Sequence, residues 1–309
     1  MNRLFPFNRG LRYLGAAAAV VGLMTSSLSA AVPKAVTMTV TAVGKKNTAP
    51  PQVAKEDVQL YEGKERLQVA DWKRGETLAL ALLIDDSLDT SVASQYGELT
   101  AFITAQPKTT SIAVFYARNG VAMLAQDFTN DHALAAKALR FPLGGLGAFS
   151  SPYLALLDLI KRWPATGDRR SILLISSGID YFRGNWGLMS PDLESTIERA
   201  QKENINIWTI YSPDAGHRGG GFFRVSYAQA NLSQLSDETG AESYYLGFGV
   251  PVTFKPYLDE IQLHLNNQYL LTFDSSGGKK GRFERMRVVT ELPGVEFLTP
   301  SGVFLPASE

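Results

Sequence analysis

Residues 78–91 read LALALLIDDSLDTS, and the reading of this stretch decides the fold. It opens as a near-continuous apolar run without alternation. Such a run predicts a strand buried on both faces of a sheet. It then turns abruptly into Asp85-Asp86-Ser87-Leu88-Asp89-Thr90, and a helical pattern follows over about 91–105, with Val92, Tyr96, Leu99 and Phe102 on one face. Oxygen-bearing side chains at the carboxyl end of a buried strand sit where open α/β sheets put their ligand sites. Asp85, Ser87 and Asp89 are alternate residues, so a tight loop can point all three at one hard cation; Asp86 falls out of that alternation and points elsewhere.

The chain on either side supports a parallel sheet. Residues 110–129 (TSIAVFYARNGVAMLAQDFT) read as two strands around Asn119-Gly120, a strong hairpin signal because both turn residues accept positive φ. Short and long helices are predicted over 132–139 and 153–162, separated by the Gly-rich loop 141–152. Residues 169–180 (RRSILLISSGID) form a second strongly buried strand ending in oxygen-bearing residues. Ser190-Pro191-Asp192 supplies an N-cap, a first-turn proline and a first-turn acid, with Leu193, Ile197 and Ala200 as the buried stripe. A strand over 205–213, a flexible loop over 217–223 and a helix over 226–240 closed by Gly240 come next. A short strand at 243–246 and a helix over 256–266 follow.

Strands alternating with helices predict a Rossmann-like α/β fold, a mostly parallel sheet with helices on both faces and one antiparallel edge strand at the Asn119-Gly120 hairpin. The segments 32–76 and 268–309 read as β and are expected to pair as a small appended sheet beside an α/β domain at 77–267. Within the first, 35–43 (AVTMTVTAV) alternates as a strand with one solvated face.

Acidic and basic residues number 30 each in 309, and no basic run stands out, so nucleic acid is not an expected partner. There is no cysteine, which excludes disulfides, thiolate catalysis and cysteine-bound zinc. Arg3, Arg9 and Arg12 precede the apolar segment 13–24, and Ser29-Ala30-Ala31 follows: the pattern of a signal peptide over 1–31, cleaved near Ala30 or Ala31. The expectation is an exported protein, periplasmic or secreted, with no membrane span in the mature chain; an uncleaved anchor is the rival reading.

The order of these features resembles a von Willebrand factor type A (VWFA) domain: buried strand with D-x-S-x-D, helix, NG hairpin, Gly-rich loop, helix, and strand ending Ser176-Ser177-Gly178. The flanking phrases EDVQLYEGKERLQ (56–68), LSQLSDETG (232–240) and QYLLTFDSS (268–276) are similar to the exported bacterial subgroup often called acidobacterial VWFA-related proteins. The resemblance implies a metal-ion-dependent adhesion site holding magnesium, or manganese or calcium, whose coordination a partner's carboxylate completes. Carried over by position, Asp85 and Ser87 match the motif and Asp89 replaces its second serine. The loop hydroxyl falls at Ser150 or Ser151, and Ser177 stands where an aspartate is usual, with Asp180 three residues on. The expected set is therefore Asp85, Ser87, Asp89 and Ser151, with Ser150, Ser177 and Asp180 peripheral, a degenerate site. The competing reading is a metal-free relic in which these side chains cap the following helix.

No catalytic constellation is visible. The serines lack a G-x-S-x-G elbow, and no Lys-Ser/Thr follows Gly144-Gly145-Leu146-Gly147. His132, His217 and His264 show no ligand or triad spacing and read as structural or exposed. The expected function is a non-enzymatic protein-binding module using the top of the sheet, with Asp85, Asp86, Arg218 and Arg224 as candidate contacts and Phe222, Phe223, Tyr244 and Tyr245 as a candidate patch. Its partner is another protein of unknown identity. The alternatives are an envelope assembly component docking through the appended sheet, and a hydrolase of an extracellular polymer with Asp85 and Asp89 as its acid–base pair.

Overall fold

The computed structural model describes residues 34–145, 150–164, 169–182, 190–215, 221–275 and 280–307. The signal-peptide expectation, Arg218 and His217 lie outside these residues. Among the described residues no helix is long and apolar enough to cross a membrane.

The flank begins with β1 (Lys34–Gly44), β2 (Val58–Glu62), β3 (Glu65–Leu67) and β4 (Val69–Arg74). The central unit follows as β5 (Leu78–Asp85), α1 (Tyr96–Thr104), β6 (Thr110–Arg118), β7 (Val121–Thr129), α2 (His132–Lys137), α3 (Pro152–Lys161) and β8 (Arg169–Ser176). It continues with α4 (Pro191–Lys202), β9 (Ile205–Tyr211), α5 (Phe222–Glu238), β10 (Ser243–Tyr244) and α6 (Lys255–Asn266). The chain ends in β11 (Gln268–Ser275), β12 (Arg282–Glu284), β13 (Met286–Thr290), β14 (Val295–Leu298) and β15 (Val303–Leu305).

The central sheet runs β10-β9-β8-β5-β6-β7. Every pair is parallel except β6 with β7, which meet through Asn119 and Gly120 at φ 50° and 73°. All eight residues of β5 are buried, as the unbroken apolar run requires. Because side chains alternate, its two faces feed two cores. Leu80, Leu82 and Ile84 pack with Leu99 of α1, Ala135 of α2 and Ile261 of α6. Ala81 and Leu83 pack with Leu156 of α3, Ile197 of α4 and Leu232 of α5. The sheet is thus covered by helices on both sides, and helix burial gives no choice but loops at its two ends for polar chemistry.

The terminal β segments pair with one another. A four-stranded sheet runs β14-β1-β11-β4, with β1 antiparallel to β11 from Lys34↔Ser275 to Thr41↔Gln268. A smaller sheet, β13-β2-β3, packs into the same core through Leu60 and Val288. Trp72 stacks on Tyr269 with ring centroids 4.5 Å apart.

Three local expectations are corrected. The β1 face expected to be solvated is exposed at Ala35 and Thr37, but Thr39 and Thr41 are fully buried, where Asn204 Oδ1 accepts from Thr39 N at 2.8 Å. The segment after β5 is a 3-10 turn, Thr90–Gln95, before α1 rather than one helix. And α5 starts at Phe222, not Ser226, so two phenylalanines assigned to a loop occupy its first turn.

Candidate functional site

At the carboxyl edge of the central sheet, three neighbouring strands end in oxygen donors. Asp85 closes β5, Ser176 closes β8, and Asp214 lies three residues past β9. Asp85 Oδ1 accepts from Ser87 N at 3.0 Å and from Ser87 Oγ at 2.7 Å, while Oδ2 accepts from Ser176 Oγ at 2.8 Å. Ser87 Oγ also lies 3.2 Å from Asp214 Oδ1, and Tyr181 OH donates to Asp214 Oδ2 at 2.8 Å. The backbone holds the pair together: Asp89 N donates to Pro213 O at 3.1 Å and Ala215 N to Ser87 O at 2.9 Å. Loop packing adds to this rigidity. Gly178 takes φ 72°, and a Cβ there would meet Ala228 O of α5 at 2.7 Å.

Ser87 has one hydroxyl proton and two carboxyl neighbours. Two buried carboxylates facing one hydroxyl repel each other, so one of them keeps a proton. Burial raises Asp85, and it raises Asp214 to about 7, with the Asp85 charge adding to the effect. Protonated Asp214 can then donate to Ser87 Oγ while Ser87 donates to Asp85, which satisfies both contacts. Asp85, with three donors, is the better-held anion.

Asp86 faces away from this pair, as its register predicts. Its oxygens accept from Arg140 Nη1 at 2.7 Å and Nη2 at 3.1 Å and from Leu143 N at 2.9 Å, with Arg118 at 3.6 Å. Arg140 in turn lies over the Tyr116 ring at 3.7 Å. Burial pushes the Asp86 carboxyl up, but the Arg140 hydrogen bonds, the Leu143 amide and the two guanidinium charges outweigh it and hold it below the usual carboxylate range. Asp86 is 1% exposed, so it is an anchor for the 140–144 loop and not a free contact for a partner.

The residues expected to share an ion are not all brought together. The Asp89 carboxylate accepts from Ser91 N at 2.9 Å and Ser91 Oγ at 2.6 Å, capping the 3-10 turn. Ser151 Oγ accepts from Leu154 N at 3.3 Å and caps α3. Asp180 accepts from Phe182 N and Ser190 Oγ at 3.0 and 3.1 Å, tying the loop after β8 to the start of α4. Ser150 acts through its carbonyl, which accepts from Tyr181 N at 2.8 Å. Ser177 hydrogen-bonds Asp214. Arg224 lies over the Tyr181 ring at 5.8 Å and lines a cavity of about 260 Å³ with Gly178, Asp180, Phe223 and Tyr227. Asp214, Ser176, Tyr181 and Arg140 are absent from the expected set. Asp214 was findable, since 205–214 (INIWTIYSPD) is a buried run ending in an acid, the same signal that marks Asp85. Ser176 stands among the oxygen-bearing residues that end the second buried run, whereas Tyr181 carries no such signal.

The donors are all oxygen, the type magnesium takes. Their lone pairs and protons are nevertheless committed to one another, and Asp85, Ser87 and Asp214 are only 2%, 4% and 2% exposed. An ion whose coordination a partner completes needs an open position, so the set as arranged does not fit it; it fits a hydrogen-bonded carboxyl pair. Saturating magnesium is accordingly expected to shift the melting temperature by less than about 1 °C relative to chelator. A rise of several degrees, measured by differential scanning fluorimetry, would show that an ion displaces the network.

Strand order defines the class. Counted from β5 as the first strand of the central unit, the order is 3-2-1-4-5-6 with the third strand antiparallel, a Rossmann-like, VWFA-like α/β fold bearing an appended antiparallel sheet. No family model matches the sequence, and no curated protein does. Among solved structures, an aerotolerance-related membrane protein from Bacteroides fragilis aligns at 12% identity and TM-score 0.45, over 61% of this chain and 98% of that one. The vWF domain of the type V pili tip protein Mfa5 from Porphyromonas gingivalis aligns at 12% identity and TM-score 0.45, over 62% and 96%. The ArnB paralog VWA2 from Sulfolobus acidocaldarius aligns at 9% identity and TM-score 0.38, over 86% and 76%.

Proposed function

We propose that this protein is an exported, non-enzymatic module that binds another protein through the loops at the carboxyl edge of its central sheet. One observation carries the reading. Phe141 and Leu143 are 68% and 60% exposed, and Phe222, Phe223, Leu246 and Phe248 are 64%, 71%, 77% and 43% exposed, all in segments at that edge. Phe222 meets Phe223 and Phe248 edge-on at 5.7 and 5.2 Å, so these rings form a cluster facing solvent. Exposed apolar clusters around a rigid polar centre are what protein interfaces use as anchors. The Asp86–Arg140 pair fixes the loop carrying Phe141 and Leu143, and the Asp85–Asp214 pair fixes the loops beside them. Closure of that carboxyl pair, with Asp89 turned to its own helix, speaks against acid–base chemistry on a polymer. The flanking phrases at 56–68 and 268–276 support assignment to the exported bacterial subgroup.

A photo-crosslinking residue placed at Phe223 is expected to give one discrete adduct in the producing cell, and one at Lys64, in the β2–β3 turn, none. Adducts from position 64 alone would transfer the interaction to the appended sheet. Absence of adducts from 223 and from Phe141 would remove the reading.

A further inference from the structure

Away from that face, at the β10 edge of the sheet and three strands across from β5, lies a second group of titratable side chains. Glu242 precedes β10; Glu260 and His264 stand one turn apart on α6, a spacing that places both on one helix face. One donor atom from each of the three lies within 4.8 Å of the others. His264 is 1% exposed, yet neither ring nitrogen has a hydrogen bond of ordinary length. Among the described residues its Nε2 has no partner, and Nδ1 sits 3.5 Å from Tyr244 OH and 3.7 Å from Glu242 Oε2. Nδ1, which faces Glu242 without a bond of ordinary length, is the donor left open to an ion.

We propose that Glu242, Glu260 and His264 bind one divalent transition-metal ion of the zinc class, with Tyr244 positioning Glu242. With zinc–ligand distances of about 2.0–2.2 Å, neighbouring donors of a tetrahedral shell lie about 3.3–3.5 Å apart. The 3.7 Å separation of Nδ1 and Oε2 is close to that and too long for a hydrogen bond. The imidazole is held by stacking against Trp208 at 5.4 Å, and Tyr244 OH donates to Glu242 Oε2 at 3.1 Å, the kind of outer contact that orients a ligating carboxylate. Both glutamates are half-buried, so their carboxylates can close on an ion and leave the fourth position to water. A nitrogen donor beside two carboxylates selects zinc, cobalt or manganese over magnesium.

The test is calorimetric titration of the metal-free protein with zinc chloride, repeated with cobalt chloride while recording visible absorbance. One ion per chain is expected, with cobalt d–d bands of a nitrogen-containing shell and no competition from millimolar magnesium. Glu242→Gln and Glu260→Gln, at half-buried positions the fold tolerates, should each weaken binding about tenfold or more. His264→Gln should abolish it, provided its circular dichroism melt stays cooperative; the glutamate variants decide the matter if it does not. Asp85→Asn should bind as the parent does. No saturable binding, unchanged affinity in both glutamate variants, or loss in Asp85→Asn alone would overturn the proposal; the last would instead place an ion at the carboxyl-edge cluster.

Discussion

Asp214→Asn is expected to stabilise the protein by about 2–3 kcal/mol at pH 8, by about 1 kcal/mol at pH 5, and to leave it nearly unchanged near pH 3. Asparagine can keep both contacts of the acid, accepting from Tyr181 OH through Oδ1 and donating to Ser87 Oγ through Nδ2, in place of the carboxyl that now meets them at 2.8 and 3.2 Å. The gain comes from protons. Asp214 is raised to about 7 by burial and then by the charge of Asp85, so the folded chain holds a proton that the unfolded chain gives up near the ordinary aspartate value of 3.8. Its contribution is therefore complete below the unfolded value and is lost as pH rises through the folded one. A shift of this size corresponds to about 4 kcal/mol at most, and sharing the proton with Asp85 reduces the part that a single substitution recovers. Urea unfolding of parent and variant from pH 3 to pH 8 measures it. A variant less stable than the parent at pH 8 would show that the ionised Asp214 is stabilised in the fold and not strained by Asp85.

Asp86→Ala is expected to cost about 3 kcal/mol at pH 7, with the opposite pH dependence. Removing the carboxylate strips Arg140 of its two hydrogen bonds and leaves Leu143 N without an acceptor. Arg140 is 42% exposed, so water recovers part of the loss and keeps it at the low end for a broken buried pair. The folded pKa of Asp86 is depressed, so its stabilisation is present above the unfolded value and disappears as pH falls through the folded one. The gap between parent and variant in urea unfolding should accordingly close in strong acid. An equal gap at all pH values would mean that packing, not the ion pair, is what the substitution removes. Asp214 and Asp86 thus oppose each other in pH response, because one faces a carboxyl and the other a guanidinium.

Much of the architecture was legible because burial leaves a mark in the pattern of residues. A strand covered on both faces must be apolar throughout, so residues 78–84 and 171–175 announce central strands. Asn119-Gly120 announces the hairpin because few pairs accept positive φ at both positions. Ser190-Pro191 announces α4, and Ser190 Oγ does accept from Leu193 N, at 3.4 Å. The site was legible only by halves. Asp85, Ser87 and Ser177 do belong to one cluster, but Asp89 and Ser151 spend their oxygens on the helices they precede. A residue next to a helix start satisfies local amides first, and alternation along a loop cannot reveal that competition.

By itself the sequence determined the alternation of strands and helices, the place of the polar loops at the ends of buried strands, and the exclusion of cysteine chemistry. These follow from periodicity and composition, which act along the chain. Tertiary structure decided which loops meet. Asp214 reaches Ser87 across 127 positions, Arg140 reaches Asp86 across 54, and Glu242 comes to His264 from a different element. No local pattern encodes such meetings, because they depend on strand order and register, and the same acids set in other neighbours would carry other charges. The stretch 78–91 therefore named the face of the sheet, while the fold chose Asp214, not Asp89, as the partner of Asp85.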